Sequence, residues 1–294
     1  MSIHRPVTKE EFNHPIMSHV VPIFAFKKQQ CLVGGTAVLI APHFAFTAKH
    51  VLEYLLSEFG YDIRKKVNVA LDIYLHQIST GCIWYVSQTF AWIGTDIVLL
   101  RLHPRTDNAK TYNIDRIPMT VDPPDLGSEI TGLGYPATKM ELRRNDNEVT
   151  DIKLEITPTV STGRVTDIHR SMRDSSMLDF PCFSVGAQFS SGMSGGAVFN
   201  NKKELCGLVC SGSDVGDGQD EPYANAVSIW PSMIISLTLN PGGLTPNGLE
   251  IGQSYKILDL ARLGYLDFKG HERIEFFKHE NASDGVRRKH YKID

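Results

Sequence analysis

Ser190-Ser191-Gly192-Met193-Ser194-Gly195-Gly196 is the stretch whose reading decides the fold. A serine stands among glycines between two strand-like runs, residues 182–185 before it and 196–200 after it. Alone, such a segment is equally a flexible turn, since glycine and serine are common turn residues. Two segments upstream change the reading. Phe46-Thr47-Ala48-Lys49-His50 ends an apolar strand directly at a histidine. Gly94-Thr95-Asp96-Ile97-Val98-Leu99-Leu100-Arg101-Leu102 sets an aspartate at the mouth of a strongly apolar strand. Singly, such a histidine is more often structural or exposed, and such an aspartate more often a turn residue. It is the ordered trio, set in a β-rich chain, that chance explains poorly.

Acyl transfer gives these residue types a reason to occur together. A serine hydroxyl is a weak nucleophile until a base takes its proton during attack, and neutral imidazole has the basicity for that near pH 7. A buried carboxylate fixes the imidazole tautomer and stabilises the imidazolium that forms. Gly192 lets the backbone turn so that its N–H and that of Ser194 converge on a developing oxyanion, each donor contributing roughly 3–4 kcal/mol.

Outward from these segments, short apolar or alternating runs punctuated by Gly, Pro or Asn read as strands. The first series covers residues 20–26, 31–40, 44–47, 67–75, 82–87 and 97–102. A proline-rich break, residues 117–127, follows. The second series covers 129–134, 152–157, 159–168, 182–185, 196–200, 204–211 and 225–229. Two similar β units packed together are expected. Helix signals are sparse: one or two turns over 49–59, another over 232–239, and a tail helix capped by Ser254, running to Leu263 and stopped by Gly264. Residues 139–149 and 213–222 read as polar loops, and 287–292 as a solvated basic tail.

At this point a resemblance is plain. The chain resembles the chymotrypsin/trypsin-like peptidases, in particular their bacterial HtrA-type and trypsin-like branch. Thr47-Ala48-Lys49-His50 looks like the family's Thr-Ala-X-His, Asp96-Ile97-Val98-Leu99-Leu100 like its Asp-Ile-Ala-Leu-Leu, and Gly192-Met193-Ser194-Gly195-Gly196 like Gly-X-Ser-Gly-Gly. The order His, Asp, Ser is also the family's. Gly34-Gly35-Thr36-Ala37, Gly132-Leu133-Gly134-Tyr135-Pro136 and Ser161-Thr162-Gly163-Arg164-Val165 add support, and the resemblance spans about residues 18–238. It implies an all-β fold of two six-stranded antiparallel barrels, with a short C-terminal extension containing a small helix. The corresponding division is a lead-in at 1–17, a first barrel at 18–120, a second at 121–238 and an extension at 239–294. It further implies a catalytic triad of His50, Asp96 and Ser194 and an oxyanion hole from Gly192 and Ser194. Cys210, Ser211 and Gly212 would pair with the substrate backbone, and Gln188 would lie near the base of the specificity pocket. No cofactor or metal is expected.

Three departures qualify the resemblance. Trypsin has an aspartate where Met193 stands, so activation by an ion pair to a freed amino group is not expected. Control through a regulatory protein partner, localisation or loop ordering is expected instead. The roughly 55 residues after Leu239 are too few for the PDZ domain that HtrA-type proteins usually append. Gln188 also replaces an acidic pocket base, and Asp214, Asp217, Asp220 and Glu221 read as a solvated loop.

Composition narrows the setting. With 42% hydrophobic and 21% charged residues and a net charge of −3, the chain reads as soluble and globular, with no expected affinity for nucleic acid or membrane. The first fifteen residues lack an apolar core, and a cytoplasmic location is expected. Five cysteines at irregular spacings make a poor disulfide framework and read as reduced thiols. The expected activity is hydrolysis of peptide bonds in protein or peptide substrates. The alternative is a latent or pseudo-peptidase scaffold that binds protein, against which the complete trio argues. An esterase reading fits the His–Asp–Ser order poorly.

Overall fold

The computed structural model describes residues 2–28, 30–61, 71–136, 138–145, 148–213, 222–239, 249–278 and 284–288. Strand β1 (Ile3–Pro6) comes first and pairs antiparallel with residues 159–162 of the second barrel. Helix α1 (Lys9–Phe12) follows, capped reciprocally: the Glu11 N–H donates to Thr8 Oγ1 and the Thr8 N–H to Glu11 Oε2.

The first barrel closes from six strands: β2 (Val20–Lys27), β3 (Gln30–Ala41), β4 (Phe44–Ala48), β5 (Asp72–Gln77), β6 (Cys82–Ala91) and β7 (Ile97–Pro104). Their order around the ring is β2-β3-β4-β7-β6-β5. Helix α2 (Lys49–Glu58) leaves β4 directly, and α3 (Asp107–Thr111) follows β7. Strands β2, β4 and β7 and the second half of β3 read as continuous apolar runs because both faces are covered, whereas β5 and β6 alternate buried and half-buried positions. Val21, Ile23, Leu39, Leu75, Trp84 and Leu100 fill the barrel. The alternate residues Val38, Ile40, Phe44, Phe46 and Leu99 pack outward into a core shared with the second barrel and the extension. The expected strand at 67–75 lies partly outside the described residues; the described part runs on to Gln77.

A linker carrying β8 (Met119–Thr120) leads to β9 (Glu129–Gly134), a hairpin of β10 (Lys139–Asn145) and β11 (Glu148–Glu155), then β12 (Thr159–His169), β13 (Cys182–Val185), β14 (Ala197–Phe199), β15 (Leu205–Ser213) and β16 (Tyr223–Ser228). The ring β14-β9-β12-β13-β16-β15 closes through a β14–β15 pairing, so the second barrel is also six-stranded. Val165, Phe183, Phe189, Met193, Val198 and Val209 fill it.

Four local readings are corrected here. Residues 152–157 are not a barrel strand, and 139–149 are not a loop. Together they form the β10–β11 hairpin, a separate two-stranded ribbon. A ribbon outside the barrels needs no buried face, so the polar residues 139–149 gave no strand signal. Residues 232–239 are not a helix but a 3₁₀ turn (Trp230–Ile234) followed by β17 (Ser236–Thr238). Ser254 caps nothing; it belongs to β18 (Ser254–Lys256), which pairs with β17. Helix α4 (Ile257–Arg262) starts later, where the Lys256 N–H donates to Asp259 Oδ2, and it ends as expected at Gly264, whose φ is +77°.

The extension closes over the linker. Strand β19 (Phe268–Lys269) runs parallel to β8, which on its other side meets β15 at Leu205. Arg273 Nη1 donates to Asp122 Oδ1 at 2.8 Å, and Lys269 pairs with Glu204 at 2.7 Å. Leu249, Tyr255, Ile257, Leu260, Leu266 and Phe268 enter the shared core. The last hairpin joins β20 (Ile274–Lys278) to β21 (Asp284–Arg288). No helix among the described residues is long and apolar enough to cross a membrane. The acidic residues 214–221 and the basic positions beyond Arg288 lie outside the described residues.

Candidate active site

The register between β4 and β7 brings His50 to Asp96. Ala48 pairs with Ile97, so the chain leaves β4 into α2 at the point where Asp96 enters β7. Asp96 then receives the start of the helix: the Lys49 N–H donates to its backbone carbonyl at 2.8 Å and the His50 N–H to its Oδ1 at 3.0 Å. These are amides that a helix N-terminus leaves without internal partners, and a carboxylate is favoured there. His50 Nδ1 lies 2.7 Å from Asp96 Oδ2. A carboxylate only accepts, so Nδ1 carries the proton and Nε2 of the neutral ring is a base. The aspartate side chain is 8% exposed and the imidazole 40%, which leaves the carboxylate sheltered and the ring open to the cleft.

A further donor to this carboxylate comes from the second barrel. Cys210 Sγ lies 3.3 Å from Asp96 Oδ2. Burial, reinforced by the Asp96 charge, pushes the Cys210 thiol well up, so it stays protonated and donates. His50, Asp96 and Cys210 also form a group with metal-ligand chemistry, their donor atoms within 4.8 Å of one another. Those atoms already satisfy each other by hydrogen bonds, and a protonated thiol is a poor ligand.

Ser194 sits on the tight passage into β14. Met193, just before it, is fully buried inside the second barrel and serves as an apolar anchor. The Met193 N–H closes a turn onto the Ser190 carbonyl at 3.0 Å, with Gly192 inside the turn at φ +90°. Gly195 has φ +79°, and a Cβ there would sit 2.3 Å from the Thr36 carbonyl oxygen, so only glycine fits. The amides of Met193, Gly195 and Gly196 donate to backbone carbonyls. Among the described residues, none accepts from the amides of Gly192 and Ser194.

Thr36, noted in sequence only as part of a glycine-rich run, fastens this loop across the barrels. Its N–H donates to the Ser194 carbonyl at 2.9 Å, and its hydroxyl donates to the Gly192 carbonyl at 2.9 Å. The same hydroxyl accepts from the Tyr135 N–H at 3.0 Å. His50, Tyr54, Gly35, Gly192 and Ser194 line one cleft of about 900 Å³, and His4 on β1 lines it too. Its size is in the range of pockets that hold ligands.

The four residues expected to contact substrate have these surroundings. The Gln188 carbonyl accepts from His4 Nδ1 at 3.1 Å. Cys210 serves Asp96, the Ser211 hydroxyl accepts from Asn225 Nδ2 at 3.1 Å, and Gly212 backs onto the Phe189 carbonyl. None of the four lines the cleft among the described residues.

Residues 35–208 match the family model of the trypsin-like peptidase domain. The chain belongs to that family. The matched span of this trypsin-like peptidase holds His50, Asp96 and Ser194. Among solved structures, Rv3671c from M. tuberculosis H37Rv, as a serine-to-alanine mutant in an inactive form, aligns over 76% of this chain and 89% of its own, with 15% identity and a TM-score of 0.45. The HtrA-type protease AlgW with a decapeptide aligns over 72% of this chain and 61% of its own, with 14% identity and a TM-score of 0.48. No curated protein sequence matches. The described residues of the peptidase beyond position 249 form hairpins, a short helix and a parallel strand; no PDZ domain is evident among them.

Proposed function

We propose that this trypsin-like peptidase is a serine endopeptidase that cuts protein substrates through an acyl-enzyme on Ser194. The observation that carries the reading is the 2.7 Å contact between His50 Nδ1 and Asp96 Oδ2, in a cleft shared with Ser194. In this scheme His50 Nε2 takes the Ser194 hydroxyl proton as Oγ attacks the scissile carbonyl, and the Gly192 and Ser194 amides receive the oxyanion. The imidazolium returns the proton to the leaving amine. Water then enters by the reverse route, releasing the acid and restoring Ser194. Five free thiols suit a reducing compartment, in keeping with a cytoplasmic setting.

One observation favours a second reading, a resting form that a protein partner orders. Among the described residues no hydrogen bond joins Ser194 to His50. Such bonds are often loose before substrate arrives. Intact mass after treatment with a fluorophosphonate separates the readings. One adduct on the wild type, absent from Ser194→Ala and His50→Ala, is the expected result. No adduct on the wild type would favour the resting or binding form.

A further inference from the structure

His4 lies 186 positions from Ser190 in sequence, yet its ring touches the segment that leads into the proposed nucleophile. Nδ1 is 3.1 Å from the Gln188 carbonyl and Nε2 is 3.1 Å from Ser190 Oγ. The carbonyl accepts only, so Nδ1 holds the proton, and in the neutral ring Nε2 accepts from the Ser190 hydroxyl. One imidazole thus bridges two residues of the loop. Ser190 is also where the turn over Gly192 is tied, because its carbonyl takes the Met193 N–H. A displaced Ser190 would carry with it the turn that aims the Gly192 amide.

The bridge is held by strand pairing and not by the side chain alone. In β1, Ile3 pairs with Thr162, His4 with Ser161, Arg5 with Val160 and Pro6 with Thr159. Arg5 is also fixed to α1, its Nη1 and Nη2 donating to both Glu11 carboxylate oxygens at 2.8 and 2.7 Å. On the far side of the loop, Thr36 of the first barrel holds Gly192 and Ser194. The loop is therefore clamped from two directions, and only one clamp belongs to a barrel.

We propose that His4 is a positioning residue for the oxyanion site, so that docking of β1 sets the working conformation of residues 188–194. This rests on the serine-peptidase reading above. The decisive experiment is saturation labelling of the full-length protein with a fluorophosphonate, giving a maximal rate and a half-saturating concentration for each variant, with thermal melting alongside. For His4→Ala the maximal labelling rate is expected to fall at least about tenfold, a part of what loss of an oxyanion donor costs. The half-saturating concentration and the melting temperature should hold. His4→Asn, which can still donate to the Gln188 carbonyl, should recover part of the rate. Ser190→Ala should slow labelling as His4→Ala does, and the double variant should be no slower than the worse single, as expected for residues acting through one contact. Labelling of His4→Ala at the wild-type rate would overturn the inference and leave the catalytic reading standing. A rate that falls only in proportion to the folded fraction, in both His4→Ala and His4→Asn, would also overturn it. Absence of any wild-type adduct at Ser194 would overturn the catalytic reading and this inference together.

Discussion

The hydroxyl of Thr36 has one hydrogen to give, and the Gly192 carbonyl receives it because the Tyr135 N–H already occupies a lone pair. That arrangement fixes the Gly192 carbonyl and, with it, the backbone between the two amides proposed for the oxyanion site. Thr36→Val keeps the side-chain shape and deletes both contacts, leaving a half-buried acceptor and a buried N–H unpaired. We expect fluorophosphonate labelling to slow about tenfold to a hundredfold, less than removal of an oxyanion donor itself. Stability should fall by about 1–3 kcal/mol in urea titration. Thr36→Ser should restore most of both; an unaffected labelling rate in Thr36→Val would remove the positioning role. At this scale His50, Asp96 and Ser194 were legible in the sequence because short local motifs surround them. Thr36 and His4 were not, since their contacts to the Ser194 loop span 156 and 184 or more positions and no local pattern records such a contact. Cys210 was read as a substrate-pairing residue; that its thiol meets Asp96 depends on how two barrels dock.

Among the elements, strands of the barrels were the most legible, because β2, β4 and β7 bury both faces and spell unbroken apolar runs, while β5 and β6 show the alternation of a strand with one buried face. Half of the β10–β11 ribbon was missed for the opposite reason: its polar residues 139–149 read as a loop, while 152–157 read as a strand but of a barrel. The start of α4 was misplaced by two residues because an aspartate inside the helix, and not a serine before it, supplies the cap. The parallel β8–β19 contact was invisible, being two residues long on each side. Yet β19 brings Phe268 into the shared core beside Met119. Phe268→Ala should cost about 3–5 kcal/mol by denaturant titration, as for other large buried aromatics. A cost under about 1 kcal/mol would mean that the extension merely rests on the linker.

Taken whole, the molecule hides several histidines. Burial holds His19 and His76 below the ordinary imidazole value; for His43 burial is joined by the charges of His103 and Arg101, and for His103 by that of Arg101. Below about pH 6.5 the unfolded chain therefore binds more protons than the folded one, and stability declines as pH falls. The stabilising share of each neutral ring is complete above that value and is lost progressively toward its lower folded value. Melting temperature should drop between pH 7.5 and 5.5, and His76→Gln should flatten the drop. A melting temperature that rises on acidification would contradict this.

The parallel contact between β8 and β19 also sets an order of events during synthesis. Asp96 leaves the ribosome about a hundred residues ahead of Ser194, His50 earlier still, and the strand that locks the linker follows about seventy-five residues after Ser194. At the measured pace of about 5–20 residues per second, a growing chain spends several seconds with two barrels made and the strap between them unfastened. The contact that ties the linker to the extension is therefore made after both barrels have emerged.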